Sequence, residues 1–328
     1  MARPTVYITR RLPPAALAII AGACDYRIWD EEGTPVPRDV LLREIGSVDG
    51  VLTMLTDRVD GEFLDAAPRC RVVANCAVGY DNISIPTLTG RGVLATNTPG
   101  VLTETTADLT WALLMASARR IVEGQDTIRA GGWKSWSLMF MTGQDIHGAT
   151  LGVVGPGRIG SAVIRRAKGF NMKVLYHSRN RHPQLEAETG ALYRPLDDLL
   201  RESDFVVVLV PLSPETRGMF GAREFALMKE TAVFVNASRG PVVDEAALYE
   251  ALKQGRPWSA GLDVFEKEPI SPDHPLLTLP NVTAVPHIAS ASVATRTNMA
   301  KLAATNLVAA LTGQPVPSPI NPEVLRPS

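Results

Sequence analysis

Leu151-Gly152-Val153-Val154-Gly155-Pro156-Gly157-Arg158-Ile159-Gly160 decides how this chain is read. An apolar run suited to a buried parallel strand leads directly into G-x-G-x-x-G, and residues 159–168 continue with helical periodicity. Strand, glycine turn and helix in that order make a dinucleotide-binding βα unit. Gly155 permits the tight turn, Gly157 lets the backbone approach a pyrophosphate, and Gly160 lets the helix lie against the strand. The helix N-terminus, opening with Arg158 and Ile159, offers N–H groups and a partial positive charge to an anion. Pro156 removes one N–H and fixes φ, which stiffens the turn without blocking Gly155 or Gly157. A glycine-rich turn without a ligand is the plainer alternative, and the context of the motif weighs against it.

The strand after the motif, residues 173–177, runs into Ser178-Arg179-Asn180-Arg181. An acid at this point would accept hydrogen bonds from the adenosine ribose and repel a 2′-phosphate. None is present, while Ser178, Arg179 and Arg181 could hold a phosphate through charge-assisted hydrogen bonds. NADP(H) is therefore expected to be preferred, with NAD(H) as the second choice; two solvated surface arginines are the competing reading.

Outward from the motif, apolar runs at 204–210, 232–236, 259–264 and 282–285 alternate with amphipathic segments. That is about the strand count of a full dinucleotide-binding sheet. Toward the N-terminus, runs at 5–9, 26–29, 50–55, 71–77 and 93–97 suffice for one smaller doubly wound sheet. Asn97-Thr98-Pro99-Gly100 forms a turn, after which a single long helix is expected over 104–130, ending at Gly131-Gly132. A last helical pattern at 292–311 follows a completed sheet and is expected to return to the first domain. The Pro-rich tail, 314–328, reads as irregular surface chain. The fold class is α/β, with two doubly wound parallel-sheet domains: a Rossmann cofactor domain at 100–287 and a smaller flavodoxin-like substrate domain at 1–99 and 288–328. A cleft between them would enclose a ligand.

The bulk composition agrees with this and narrows the partners. The chain has 328 residues, roughly two domains' worth, with 45% hydrophobic and 20% charged residues. Its 33 Lys and Arg against 34 Asp and Glu leave no excess positive charge for a phosphate backbone, so no nucleic-acid partner is expected. Cys24, Cys70 and Cys76 are odd in number and lack metal-ligand spacing, which suggests reduced thiols in a cytoplasmic protein and no metal site. The opening MARPTVYITRRLPP has no apolar run of signal-peptide length, and no stretch reaches the roughly 18 apolar residues of a membrane helix. Neither secretion nor a membrane partner is expected.

Three strand ends carry the residue types that reduction of a 2-oxo acid requires. The reaction needs a cation for the substrate carboxylate, an acid for the developing alkoxide, and a partner that keeps that acid charged. Arg239, Glu268 and His287 each follow a parallel strand, and in an open parallel sheet ligands bind beyond those carboxyl ends. Glu268 could hold His287 in its protonated form, and Arg239 could pair bidentately with a carboxylate. Singly, each has an ordinary alternative: a surface ion pair, a solvated loop acid, a hydrogen-bonded strand-end histidine.

From Ala77-Val78-Gly79-Tyr80-Asp81-Asn82 onward the chain resembles the D-isomer-specific 2-hydroxyacid dehydrogenase family. The match covers nearly the whole chain. Its most specific pieces are Thr105-Thr106-Ala107-Asp108-Leu109, the glycine motif, Asn236-Ala237-Ser238-Arg239-Gly240, Gly261-Leu262-Asp263-Val264-Phe265 and Pro286-His287-Ile288-Ala289-Ser290. The resemblance implies that Arg239 binds substrate, that Glu268 pairs with His287, and that His287 is the general acid in reduction. It further implies that Asp263 holds the nicotinamide carboxamide, that the backbone of Val78 and Gly79 binds the substrate carboxylate, and that Thr106 contacts the cofactor. Val210 and Pro211 would line the nicotinamide side, with Ala237 nearby.

Within the family, Trp133-Lys134-Ser135-Trp136-Ser137-Leu138 followed by Gly143 resembles the glyoxylate and hydroxypyruvate reductase branch, in which this segment crosses a dimer interface. A homodimer with Trp136 reaching the partner's substrate pocket is the implied arrangement; simple packing of the two tryptophans is the alternative. Met54-Leu55-Thr56 would form the other pocket wall, its apolar Leu55 suiting a small 2-oxo acid. Two residues depart from the family's pattern: Pro156 stands where an aliphatic residue is usual, and Ala289 where glycine is. The activity implied is reduction of glyoxylate or hydroxypyruvate to glycolate or D-glycerate. A D-lactate-type dehydrogenase, a phosphite dehydrogenase and a phosphoglycerate dehydrogenase are alternatives, the last disfavoured because no regulatory domain follows residue 312. A non-catalytic, dinucleotide-sensing corepressor-like protein is the alternative of another class.

Overall fold

The computed structural model describes residues 2–325. The chain divides into two compact units: the segment up to Leu102 joins the segment from Ala291 onward, and Thr103–Ser290 forms the other.

The smaller unit holds five parallel strands, β1 (Thr5–Ile8), β2 (Asp25–Ile28), β3 (Gly50–Thr53), β4 (Val72–Asn75) and β5 (Leu94–Thr96), in the order β2-β1-β3-β4-β5. This is the flavodoxin-like winding expected of it. Every residue of β3, β4 and β5 is buried, which is why these strands read as mainly apolar runs, each closed by a buried polar residue, Thr53, Asn75 or Thr96. One face packs Val6, Ile8, Leu52, Val72, Ala74 and Leu94 against Ala300, Ala303, Ala304 and Leu307 of the helix Val293–Thr312. The approach is close: a Cβ on Gly50 would lie 2.9 Å from Leu307 Cδ1.

The larger unit holds seven parallel strands, β6 (Thr150–Val154), β7 (Lys173–His177), β8 (Leu192–Tyr193), β9 (Phe205–Val208), β10 (Val233–Asn236), β11 (Ser259–Leu262) and β12 (Val282–Ala284), in the order β12-β11-β10-β9-β6-β7-β8. The winding reverses between β6 and β9, and the crevice beyond their carboxyl ends is the switch point at which such sheets bind ligands. Six of these strands follow the apolar runs of the sequence. The seventh, β8, is a two-residue edge strand too short to leave a pattern.

The long helix expected over 104–130 is two helices, Thr103–Ala118 and Ile121–Arg129. The first buries Ala107, Trp111, Leu113 and Leu114, and Trp111 stacks on Phe170 with ring centroids 4.7 Å apart. The second buries nothing. At the break the Gln144 N–H donates to Ala118 O (2.9 Å), taking a carbonyl the helix would need in order to continue. Arg120 turns left-handed with φ at +52°, and its guanidinium bonds Glu123 in the new helix at 2.6 and 2.8 Å.

The tail also differs from the irregular surface chain expected of it. Over its described part, Ile320 N–H donates to Ala95 O (2.8 Å), while the buried Asn321 accepts from Ala95 N–H (2.7 Å) and donates to Val93 O (3.0 Å). The strap thereby satisfies the open edge of β5; Arg326, Pro327 and Ser328 lie outside the described residues. A polar knot secures it. Asn306, fully buried, donates to Asn97 O (3.0 Å) and Ser318 Oγ (2.8 Å) and accepts from Ser318 N–H (3.1 Å). Among the described residues no helix is long and apolar enough to cross a membrane.

Replacing Asn306 with Ala costs about 1–3 kcal/mol, because it leaves the Ser318 N–H without its acceptor, while Ser318 Oγ still donates to Asn97 O (2.6 Å). Denaturant unfolding of the variant is expected to show that loss; a change below about 1 kcal/mol would mean the knot contributes little.

Candidate active site

The glycine turn follows β6 and separates packing from ligand space. Gly155 sits at φ +94°, and a Cβ there would lie 2.8 Å from Leu209 O. A Cβ on Gly160 would lie 2.3 Å from Gly155 O, so this glycine sets how closely the helix Arg158–Ala167 meets the strand. Gly157 is different: a Cβ there would meet nothing within 4 Å, so its open side faces space a ligand can occupy. Pro156 is buried and its carbonyl accepts from Ser161 Oγ (3.0 Å), while Arg158 is exposed, Ile159 half-buried and the first helical turn free of acids. These features fit a pyrophosphate. Val210, after β9, borders the turn, with its Cγ1 2.9 Å from where a Gly155 Cβ would be, and Pro211 follows it, exposed.

Beyond β7 the three residues expected to take a phosphate are not equivalent. Arg181 pairs with Glu186 through Nε (3.1 Å) and Nη2 (2.7 Å), and together with the Tyr176 hydroxyl it holds that carboxyl below its ordinary range. Ser178 Oγ donates to Asn180 O (2.5 Å). Arg179 is exposed, and its charge is felt by Glu215 in the loop after β9, across the crevice from β7.

Past β10, β11 and β12 the candidate catalytic residues come together. His287 Nδ1 lies 2.7 Å from Glu268 Oε2, and Glu268 Oε1 accepts the Phe265 N–H (3.0 Å). Burial pushes the Glu268 carboxyl up, but His287, the Phe265 N–H and the Arg239 charge outweigh it and hold the group below its ordinary value. The contact therefore sets an ionised carboxylate against the ring. Arg239 is half-buried after β10, its carbonyl receiving Asn236 Nδ2 (3.1 Å) and its Nη1 donating to Ser238 O (2.9 Å). Ala237, next to it, is buried. Gly240 presses on the loop that carries Glu268: a Cβ there would fall 1.8 Å from the carbonyl carbon of Phe265.

Asp263, expected to meet the nicotinamide, is buried and spends both carboxylate oxygens on backbone. Oδ1 accepts the Ile288 N–H (2.6 Å) and Oδ2 the Ala289 N–H (3.0 Å), while its carbonyl accepts the His287 N–H (2.9 Å). Burial raises its pKa, and the two N–H groups and His287 offset this only in part. These bonds hold His287 at φ +52°, a conformation that costs a non-glycine residue about 1–3 kcal/mol and that persists only when its surroundings impose it.

In the smaller unit, Asn97 Nδ2 donates to Val78 O (2.8 Å) and Asn75 Nδ2 to Gly79 O (3.0 Å). Since N–H and C=O point oppositely across a trans peptide, fixing both carbonyls turns the N–H groups of Gly79 and Tyr80 the other way, as an anion nest requires. Sequence reasoning missed these two asparagines: Asn97 reads there as a turn residue, and nothing marks a side chain that bonds main chain. Leu55 is exposed on a loop held by buried Asp57, which accepts the Met54 N–H (2.8 Å). Thr106 is buried in the first turn of its helix, and Trp136 is 76% exposed.

The glycine geometry separates two variants. Gly157→Ala is expected to keep the melting temperature and lose dinucleotide affinity, whereas Gly160→Ala loses about 1–3 kcal/mol of stability through forced backbone shifts. Calorimetric melts and dinucleotide titrations check both; undiminished binding by Gly157→Ala would remove the phosphate from that space.

A family model described as D-isomer specific 2-hydroxyacid dehydrogenase, NAD binding domain, matches residues 111–289. The chain is 50% identical to a glyoxylate reductase of Korarchaeum cryptofilum over 99% of this chain and 98% of that one, and 49% identical, with the same coverage, to a glyoxylate reductase of Thermococcus kodakarensis. Among solved structures, an NADPH-dependent glyoxylate/hydroxypyruvate reductase of Sinorhizobium meliloti, in complex with NADP and malonate, aligns with TM-score 0.85 at 33% identity, covering 97% of each chain. A Thermus thermophilus protein aligns with TM-score 0.90 at 42% identity, over 96% of this chain and 99% of that one. With the glycine turn, the His287–Glu268 contact and both sheet orders in place, this chain belongs to the D-isomer specific 2-hydroxyacid dehydrogenase family and is a nicotinamide-dinucleotide-dependent oxidoreductase.

Proposed function

We propose that this protein reduces glyoxylate and hydroxypyruvate to glycolate and D-glycerate, with NADPH preferred over NADH. The observation that carries the reading is the 2.7 Å contact between His287 and Glu268, beyond the same sheet as the glycine turn. Relatives named glyoxylate reductase, about half identical along the whole chain, support the substrate class.

A bound reduced nicotinamide supplies the hydride that reaches C2 of the 2-oxo acid. His287, engaged by Glu268 at Nδ1, gives the proton at Nε2 to the substrate oxygen. Glu268 stabilises the charged ring before transfer, which an ionised carboxylate at this distance does well. Arg239 offers parallel N–H donors to the substrate carboxylate. Asp263 acts mainly by holding the turn that carries His287, and the N–H groups near Val78 and Gly79 bind carboxylate in the smaller unit. Preference for NADPH rests on Arg179 more than on Arg181, because Glu186 already matches the charge of Arg181. A homodimer is supported by the exposed apolar side chains of Ile121, Ile128, Trp133, Trp136, Leu138 and Met139, a surface an isolated chain would leave in water.

Steady-state reduction of glyoxylate, hydroxypyruvate and pyruvate with each dinucleotide tests the assignment, which fails if pyruvate or a bulkier 2-oxo acid is the best substrate. Absence of turnover alongside normal dinucleotide binding would favour a sensing protein. His287→Ala is expected to lower the rate by about 10² to 10⁴ with dinucleotide affinity nearly intact. In Glu268→Gln the charged ring loses its partner, so the pH at which reduction is half lost moves downward. Arg179→Ala is expected to weaken NADPH far more than NADH, and more than Arg181→Ala does; equal losses for both dinucleotides would refute the phosphate site.

A further inference from the structure

A second carboxylate–histidine contact lies beside the first. Glu245, at the start of the helix Glu245–Lys253, accepts the Glu266 N–H at Oε1 (2.6 Å), and its Oε2 lies 3.2 Å from His274 Nε2. The Leu276 N–H points at His274 Nδ1 (3.3 Å), so Nδ1 bears the lone pair and Nε2 the proton that Glu245 receives. Both nitrogens of this ring serve the protein. The Glu245 side chain is 11% exposed, an unusual burial for a carboxylate in the first turn of a helix.

The peptide that Glu245 grips joins Phe265 to Glu266. Gly240 packs against the same peptide: a Cβ added to it would lie 1.9 Å from Phe265 O and 2.3 Å from Glu266 N. Arg239 precedes that glycine, and Glu268 stands two residues beyond Glu266, on a loop it closes by accepting the Phe265 N–H. One peptide unit thus couples the turn carrying Arg239 to the turn carrying Glu268, and the Glu245 carboxylate fixes it.

We propose that Glu245 and His274 are a positioning pair for the reduction: they hold the Phe265–Glu266 peptide and so set how Glu268 meets His287. This rests on the reading of His287 as the proton donor. Neither residue reaches the reacting atoms, and both act through Glu268. The charged or titratable groups around Glu245 are His274, Glu266 and Glu268.

Two variants break the pair differently. Glu245→Gln must present an amide N–H either to the Glu266 N–H or to His274 Nε2–H, so one contact is lost in either orientation. His274→Asn keeps an acceptor for the Leu276 N–H but is too short to reach Glu245. Each is expected to lower kcat about tenfold, with KM for NADPH changed less than about twofold. The pH at which reduction is half lost should move downward, toward that of Glu268→Gln.

The decisive measurement is the cycle with Glu268→Gln. If Glu245 acts through Glu268, adding Glu245→Gln to that variant costs less than about twofold. If the two defects multiply, or if folded Glu245→Gln keeps the parent kcat and pH profile, the proposal is overturned. Should Glu245→Gln fail to fold, His274→Asn is put through the same cycle and read the same way. His287→Ala separates the two failures: retained turnover there overturns the proton-donor reading and this proposal with it, whereas lost turnover there beside a silent Glu245→Gln overturns only the positioning pair.

Discussion

The buried carboxylate of Asp263 is the group on which the arrangement beyond the larger sheet depends. Taking it out of water is costly, and the N–H groups of Ile288 and Ala289 compensate by closing on its two oxygens. That closure forces the chain to turn immediately after β12, and His287 takes up the strain of the turn. The ring is then delivered to Glu268, whose own loop is closed by a main-chain bond from Phe265. A short polar side chain at the end of one strand therefore determines the direction of a ring at the end of the next. Strand spacing in a parallel sheet, about 4.8 Å, makes such neighbour-to-neighbour bracing geometrically natural.

Glycines in this molecule hold space for different occupants. At Gly155 and Gly160 the occupant is backbone, and at Gly240 it is the Phe265–Glu266 peptide. At Gly50 it is a leucine side chain from the last long helix. Only Gly157 of the motif opens onto space the protein leaves unfilled. The motif gives each of its three glycines a separate role, and their surroundings differ as well: backbone at Gly155 and Gly160, open space at Gly157.

What the sequence made legible follows from what its signals measure. Most of the described strands are buried and appear as apolar runs; the exposed edge strand Asp25–Ile28 was visible from its place in the alternation, whereas Leu192–Tyr193, two residues long at a sheet edge, escaped. Arg239, Glu268 and His287 stood out because parallel strands direct their carboxyl-end loops to one side. Their neighbours Glu245 and His274 did not, because a carboxylate at a helix start and a histidine in a loop look ordinary until the peptide between them is seen. The helix break at Arg120 was hidden for a related reason: Gln144, two dozen residues later, takes the carbonyl that would have extended the helix. The strap pinned by Asn321 and Ser318 was hidden too, since proline content reports only the lack of regular structure and says nothing of side chains that bond a distant strand.

The smaller unit is assembled from both ends of the chain, and its last helix and strap arrive after all of Thr103–Ser290. On a ribosome adding about 5–20 residues per second, its five strands therefore wait on the order of tens of seconds for the helix Val293–Thr312 to cover one apolar face. The contiguous larger unit has no such wait and can complete its own sheet first. The first-made strands thus become the last to be sealed, and Val6, Ile8, Leu52 and Val72 are the surface that chaperones would have to shield in the interval.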